Sequence, residues 1–150
     1  LKLSMKKFVL LFLGVPPMKS QGILINNFSL GEDNVIYKWN VNTNENTKWM
    51  DLASYAGDHD WIPLVKGVSD LCAIGFADGS FKLYNKNGKL EKSVNDAHKK
   101  SVIAVKWSYD GSALATSSQD GGLKIWSKNG SLRTNLIQID RPIYSLAWSP

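Results

Sequence analysis

Short runs of alternating hydrophobic and polar residues, separated by turns that contain Gly, Asp or Asn, fill the second half of the chain. The segment SVIAVKWS (101–108) alternates in this way, so it predicts a β-strand with one buried face. Further strands are predicted at 112–118, 122–127 and 131–136, and an inner strand of a next unit at 143–148. The pattern therefore predicts a chain that is nearly all β.

The strand–turn–strand unit occurs three times along the chain. In each copy an Asp in the turn is followed six residues later by an aromatic residue: Asp33 and Trp39, Asp78 and Tyr84, Asp120 and Trp126. A period of about 40–45 residues with four short strands per unit is the signature of a WD40-type propeller blade. We therefore predict an all-β fold, an incomplete WD40-type β-propeller of about three four-stranded blades from a longer ring.

The third copy also contains four residues at the spacing of the hydrogen-bonded structural tetrad of WD40 repeats, which it resembles closely. His98 lies 22 residues and Thr116 four residues before Asp120, and Trp126 lies six after it. The resemblance implies that Asp120 holds His98, which bridges to the Thr116 hydroxyl and the Trp126 indole. Such pairing avoids the cost of about 1–3 kcal/mol for a buried polar group without a partner. We interpret Asp120 as a turn-forming residue that orients a histidine.

The first two copies keep only part of this set. The second has Ile74 where Thr would stand, and its nearby histidine, His59, precedes Asp78 by 19 residues rather than 22. The triplet Asp58-His59-Asp60 suggests metal ligands only weakly, because no further His or Cys accompanies it. We interpret the triplet as a solvated loop between blades. The first copy keeps Ser29 but has no matching histidine.

Composition is that of an ordinary soluble globular chain, with 43% hydrophobic and 21% charged residues. The net charge of +5 comes from lysines spread through turns and outward strand positions, which favours solvated faces over nucleic-acid contact. The single cysteine, Cys72, excludes a disulfide framework or zinc spacing and fits a reducing, intracellular compartment. We expect no cofactor, no metal, no nucleic acid and no small-molecule substrate, and we do not expect a membrane as partner.

Residues 1–28 stay unassigned. MKKFVLLFLGVPP (5–17) resembles a secretory signal peptide and is too short for a transmembrane helix. A first propeller strand and a wrongly joined gene model are the alternative interpretations. Residues 29–150 are assigned as WD40 repeats, part of an N-terminal propeller, and we expect the chain to be a fragment whose further blades are C-terminal.

Residues 88–150 resemble one particular WD40 family. EKSV followed by AH, then KIWSKNGSLR and PIYSLAWSP, are similar to the N-terminal propeller of the eighty-kilodalton WD-repeat subunits of intraflagellar transport complex B. IYKWNVNT (36–43) fits the first blade of the same family. The resemblance implies a non-enzymatic scaffold that works with other complex B subunits. It also implies a location at the cilium, the ciliary base and the cytoplasm, and a role in cilium assembly and transport along the axoneme.

Partners of a propeller bind its exposed loops, and 57–63 and 95–101 are the candidate contact loops here. Three other functions remain as alternatives. The first is a WD40 scaffold of another complex, such as a vesicle coat or a ubiquitin-ligase adaptor. The second is a hydrolase that uses Asp120 and His98, although no G-x-S-x-G nucleophile turn occurs. The third is a basic nucleic-acid binder, for which salt-dependent binding is the test.

Overall fold

The fold is a set of antiparallel β-sheets. The computed structural model describes residues 26–30, 33–40, 42–63 and 70–149, and within them the chain forms eleven strands and no helix. Three sheets contain three, four and four strands, in which consecutive strands pair as antiparallel neighbours. The prediction of an all-β chain with WD40-type blades is therefore confirmed. The signal-like segment 5–17 lies outside the described residues.

The first compact unit of the chain, which extends to Ala53, holds one three-stranded sheet. Its strands are β1 (Asn26–Leu30), β2 (Val35–Asn40) and β3 (Glu45–Asp51). Strand β1 begins three residues before the predicted start of the repeats at 29, and the part of this blade that the structure describes has three strands rather than four. The buried side chain of Ile36 marks the inner face of the sheet.

The second unit, from Ser54 onward, contains two four-stranded sheets. The first consists of β4 (Ala56–Trp61), β5 (Leu71–Phe76), β6 (Phe81–Asn85) and β7 (Leu90–Val94). The second consists of β8 (Val102–Trp107), β9 (Ala113–Ser118), β10 (Gly122–Ser127) and β11 (Leu132–Gln138). The four strands predicted for the third copy are thus present, each within two residues of its expected bounds.

These two sheets pack face to face around a common hydrophobic core. Strands β5 and β9 are buried along their whole length, because each lies inside its sheet and under the neighbouring one. The rings of Phe81 and Trp126, one from each sheet, meet edge to face with centroids 4.9 Å apart. Fully burying an aromatic side chain of this kind stabilises a fold by about 1.5–3 kcal/mol, so this contact stabilises the packing of the two sheets.

Two sequence predictions about this unit are wrong. The expected loop at 57–63 is mostly strand β4, whose acidic residues are buried rather than solvated. The expected strand at 143–148 forms no ladder with any strand among the described residues. It is held instead by isolated bonds: Ser117 Oγ donates to Ile143 O (2.9 Å) and Trp148 Nε1 to Lys106 O (2.9 Å).

Candidate functional site

The Asp of each repeat shapes the turn in which it stands. Its carboxylate oxygen Oδ1 accepts the backbone N–H two residues later, which closes an Asx turn. The pairs are Asp33 with Val35 (3.2 Å), Asp78 with Ser80 (2.9 Å) and Asp120 with Gly122 (2.8 Å). The three turns therefore share one local structure, although only the third belongs to a larger network.

In the third blade, four side chains form a continuous chain of hydrogen bonds. The Trp126 indole Nε1–H donates to Thr116 Oγ1 at 2.8 Å. Thr116 Oγ1 lies 2.8 Å from His98 Nε2, and His98 Nδ1 lies 3.3 Å from Asp120 Oδ1. The structure thus brings together the four residues that the spacing singled out, from a loop, two neighbouring strands and a turn.

The network assigns the protonation state of His98. Thr116 is fully buried and accepts from the indole, so its own hydroxyl hydrogen finds an acceptor at His98 Nε2. The imidazole is then neutral, with its proton on Nδ1, where it donates to Asp120. Burial lowers the pKa of His98 below its ordinary 6.5, and the opposing charge of Asp120 does not reverse this. Both arguments give a neutral imidazole at pH 7.

Asp120 stays ionised and ties the turn to the preceding loop. Burial raises the pKa of its carboxyl group, but backbone N–H bonds from Lys99 and Gly122, together with His98, outweigh burial and hold the pKa below 3.8. The Lys99 N–H donates to Asp120 Oδ2 at 2.8 Å. The two carboxylate oxygens therefore serve different partners: Oδ1 binds its own turn and His98, and Oδ2 binds the loop 95–101.

The network is closed to solvent. The His98 side chain is 0% exposed and the Asp120 side chain 12% exposed. An open groove of about 420 Å³ lies between Leu71 and the turn from Ser127 to Arg133, and neither His98 nor Asp120 lines it. A substrate in this groove would not contact the network, and the buried Thr116 hydroxyl offers no accessible nucleophile.

The first two blades keep parts of the network. In the first, Trp39 Nε1 donates to Ser29 Oγ at 2.8 Å, while Asp33 Oδ2 accepts from the Tyr37 hydroxyl at 3.4 Å. In the second, Asp78 Oδ1 accepts from the Ser80 hydroxyl at 2.6 Å. Tyr84 is buried there, and position 74, where the third blade has a threonine, is a fully buried isoleucine.

Comparison with known proteins agrees with this geometry. The family model for the WD domain, G-beta repeat, matches residues 88–127, which include all four network residues. Intraflagellar transport protein 80 homologs of Mus musculus and Rattus norvegicus are each 40% identical to this chain over an alignment of 130 residues, which covers 82% of the chain. The chain is a WD-repeat protein similar to intraflagellar transport protein 80.

This WD-repeat protein spans 17% of the length of those two relatives. It is also similar to the F-box-like/WD repeat-containing protein TBL1X of Mus musculus, with 32% identity over 103 residues. That alignment covers 59% of this chain and 19% of the relative. The similarity to the intraflagellar transport homologs covers more of the chain at higher identity, so it is the stronger evidence of an evolutionary relationship.

The residues that sequence reasoning misjudged are Asp58 and Asp60 of β4. Asp58 Oδ2 accepts the Val105 N–H at 3.1 Å, and Asp60 Oδ2 accepts the Trp107 N–H at 2.7 Å. Both donors lie in β8, the first strand of the next blade. The two carboxylates are therefore contacts between blades. The only signal in the sequence was two Asp residues two positions apart, a spacing that places both on the same side of a strand.

The Asp58-His59-Asp60 triplet does not gather into a metal site. Within residues 26–30, 33–40, 42–63 and 70–149, no group of three or more His, Cys, Asp or Glu side chains is placed to hold a metal ion. Burial lowers the pKa of His59, which keeps the imidazole neutral inside the sheet packing. The same stretches of chain contain no helix of the length and hydropathy that a bilayer span requires.

Proposed function

We propose that this protein is a non-enzymatic scaffold subunit of intraflagellar transport complex B. In this role it supports cilium assembly and transport along the axoneme through contacts with other complex B subunits, at the cilium, the ciliary base and in the cytoplasm. The observation that carries the proposal is the 40% identity to two intraflagellar transport protein 80 homologs over 82% of the chain.

The geometry of loop 95–101 supports a scaffold role. Hydrogen bonds fix this loop on several sides: the His98 N–H donates to Gly79 O (2.9 Å), Lys124 Nζ to Ala97 O (2.5 Å) and Ser118 Oγ to Lys100 O (3.0 Å). The Lys99 N–H bond to Asp120 adds a further anchor. A loop held in one conformation binds a partner with little loss of entropy. The buried network thus fixes the backbone from which the exposed side chains of Lys99 and Lys100 project.

Catalysis by Asp120 and His98 is disfavoured by their burial. A general base must come within hydrogen-bond reach of the proton it removes, directly or through one water molecule. His98 instead has both ring nitrogens committed to Thr116 and Asp120, and its side chain is 0% exposed. The pair therefore supports the loop and the turn rather than a reaction.

A second candidate is a WD40 scaffold of another complex, such as a ubiquitin-ligase adaptor. The similarity to an F-box-like/WD repeat-containing protein favours it, at 32% identity over 59% of the chain. The two candidates share the same fold and the same network. They differ in the complex with which the protein co-purifies.

The test is native affinity purification from ciliated cells of the protein that contains this chain, with mass spectrometry of the bound proteins and imaging of the tag. We expect complex B subunits to co-purify and the tag to lie along the cilium and at its base. Recovery of ubiquitin-ligase or coat subunits without complex B subunits would overturn the proposal.

Charge reversal separates the candidate contact loop from general surface charge. Lys100→Glu changes an exposed residue of loop 95–101, and Lys89→Glu changes an exposed residue of the turn between β6 and β7 as the matched control. If loop 95–101 contacts a partner, Lys100→Glu reduces co-purification and Lys89→Glu does not. Equal effects of the two variants would exclude a specific contact at this loop.

A further inference from the structure

Strands β4 and β8 are the first strands of neighbouring blades, and their main chains lie close together. A Cβ atom added at Gly57 would come 2.5 Å from the Val102 carbonyl oxygen. The β8 edge that faces β4 carries backbone N–H groups that need acceptors. Asp58 and Asp60 supply them through bonds to Val105 and Trp107. Two carboxylates of the second blade thus accept hydrogen bonds from the unpaired β8 edge of the third blade.

The charges around this contact do not balance when both carboxylates are ionised. Lys106 Nζ lies 3.1 Å from Asp58 Oδ2, which gives Asp58 an ion-pair partner. Asp60 makes no ion pair among the described residues, although the charge of Lys106 also lowers its pKa, and its other titratable neighbours are Asp58 and the neutral His59 on β4 and the buried Cys72 on β5. A buried carboxylate that lacks a compensating charge favours its neutral form.

The second blade, to which β4 belongs, does not have the side-chain network of the third. Ile74 replaces the hydroxyl residue, and Tyr84 replaces the tryptophan. His59 stands on β4 itself rather than in the loop before the blade. The bonds of Asp58 and Asp60 link the first strands of these two blades directly. A change in either carboxyl group acts on the interface directly.

We propose that Asp60 makes the contact between strands β4 and β8 sensitive to pH, because its buried carboxyl group accepts the Trp107 N–H across the contact and has no ion-pair partner among the described residues. Ionisation of this group weakens the packing of the two blades. Burial is the main cause that raises the pKa of Asp60 to about 6; the Trp107 N–H bond and Lys106 oppose it, and the charge of Asp58 adds to it. The folded state therefore binds a proton that the unfolded state, with a pKa of 3.8, does not hold between pH 4 and 6. This contribution to stability is complete below about pH 3.8, decreases as pH rises from there and is lost above about pH 6.

The experiment compares the thermal midpoints of the wild type and Asp60→Asn between pH 5 and pH 7.5. Asn keeps an oxygen that accepts the Trp107 N–H and carries no charge. At pH 7.5 we expect Asp60→Asn to raise the midpoint by about 3–5 °C, and at pH 5 by only about half as much, because the unfolded wild type is already ionised at pH 5 while the folded protein still holds its proton. Acid destabilisation through His59 and His98 is common to both proteins and cancels in the comparison.

Asp110→Asn is the matched control for this pH range. Its hydrogen bonds to Ser108 and Ser112 hold the pKa of Asp110 at about 2, so its charge does not change between pH 5 and pH 7.5. Any midpoint shift caused by Asp110→Asn is therefore the same at both pH values. A shift for Asp60→Asn that is also the same at both pH values would overturn the proposal.

Amide hydrogen exchange gives a local measurement that does not depend on global unfolding. In the wild type, the exchange of the Trp107 and Val105 amides, corrected for intrinsic pH dependence, is expected to be several-fold slower at pH 5 than at pH 7.5. In Asp60→Asn this difference disappears for Trp107. Unchanged protection of Trp107 in the wild type across the range would likewise overturn the proposal.

Discussion

The Trp39 indole donates to the Ser29 hydroxyl at 2.8 Å, which is the distance that separates Trp126 from Thr116 in the third blade. Each pair is ten residues apart and joins neighbouring antiparallel strands. The third blade adds His98 to this bond, and the first keeps the bond without a histidine among its described residues. The hydrogen bond between indole and hydroxyl therefore forms with or without a histidine. In the third blade, His98 connects this bond to loop 95–101.

Ser29→Ala tests this unit in the first blade. The change leaves the half-buried indole N–H of Trp39 without its acceptor, which we expect to lower the free energy of unfolding by about 0.5–1.5 kcal/mol. Urea unfolding measures the loss, and Ser29→Thr, which keeps the hydroxyl, is the control. If Ala and Thr variants unfold at the same urea concentration, the bond contributes nothing.

The pKa of His98 provides a second prediction. Burial lowers it below 6.5, so the unfolded chain takes up a proton before the folded one as pH falls, and stability is lost from about pH 6.5 downward. The charge of Asp120 opposes this shift, so Asp120→Asn is expected to lower the pKa of His98 further. Titration of the imidazole signals by NMR measures both values. A pKa above 6.5 in the wild type would mean that the charge of Asp120 outweighs burial, contrary to this account of the network.

Gly121, in the turn after Asp120, is expected to tolerate no side chain. Its φ is +78°, and an added Cβ would overlap the backbone carbonyl oxygen of Ile139, which cannot move freely. We expect Gly121→Ala to cost about 1–3 kcal/mol in denaturant unfolding. Gly130→Ala is the control, because its φ is +80° but the Cβ would meet the flexible side chain of Lys92 at 2.9 Å. If the clash with the backbone oxygen is the cause, Gly121→Ala must lower the free energy of unfolding more than Gly130→Ala does.

The sequence predicted the third blade well because its information is local. Alternation defines β8 to β11, and the turn residues Asp120 and Gly121 stand where the chain reverses. Thr116 and Trp126 lie on two strands joined by that turn, so their spacing fixes their proximity. Local patterns of this kind need no knowledge of the rest of the fold.

Contacts between blades were not predictable in the same way. Asp58 and Asp60 bind backbone groups 47 residues away, and backbone groups leave no trace in the sequence. The sequence Asp58-His59-Asp60 is therefore interpreted as a loop. In the structure it belongs to strand β4, and both carboxylates accept hydrogen bonds from β8. The segment 143–148 shows the opposite case: its alternation is that of a strand, but within the described chain it has no neighbouring strand with which to form a ladder.

A double-mutant cycle on His98 and Asp120 tests most directly that these residues form one structural network. The variants are His98→Ala, Asp120→Ala and the pair, with free energies of unfolding taken from denaturant melts of the protein that contains this chain. Asp33→Ala combined with His98→Ala is the control, since Asp33 bonds Val35 and Tyr37 in its own blade. We predict that each single change costs about 1–3 kcal/mol and that the pair costs less than the sum by about 0.5–3 kcal/mol, while the control pair is additive. Losses at His98 and Asp120 that add to within about 0.5 kcal/mol would contradict a shared network.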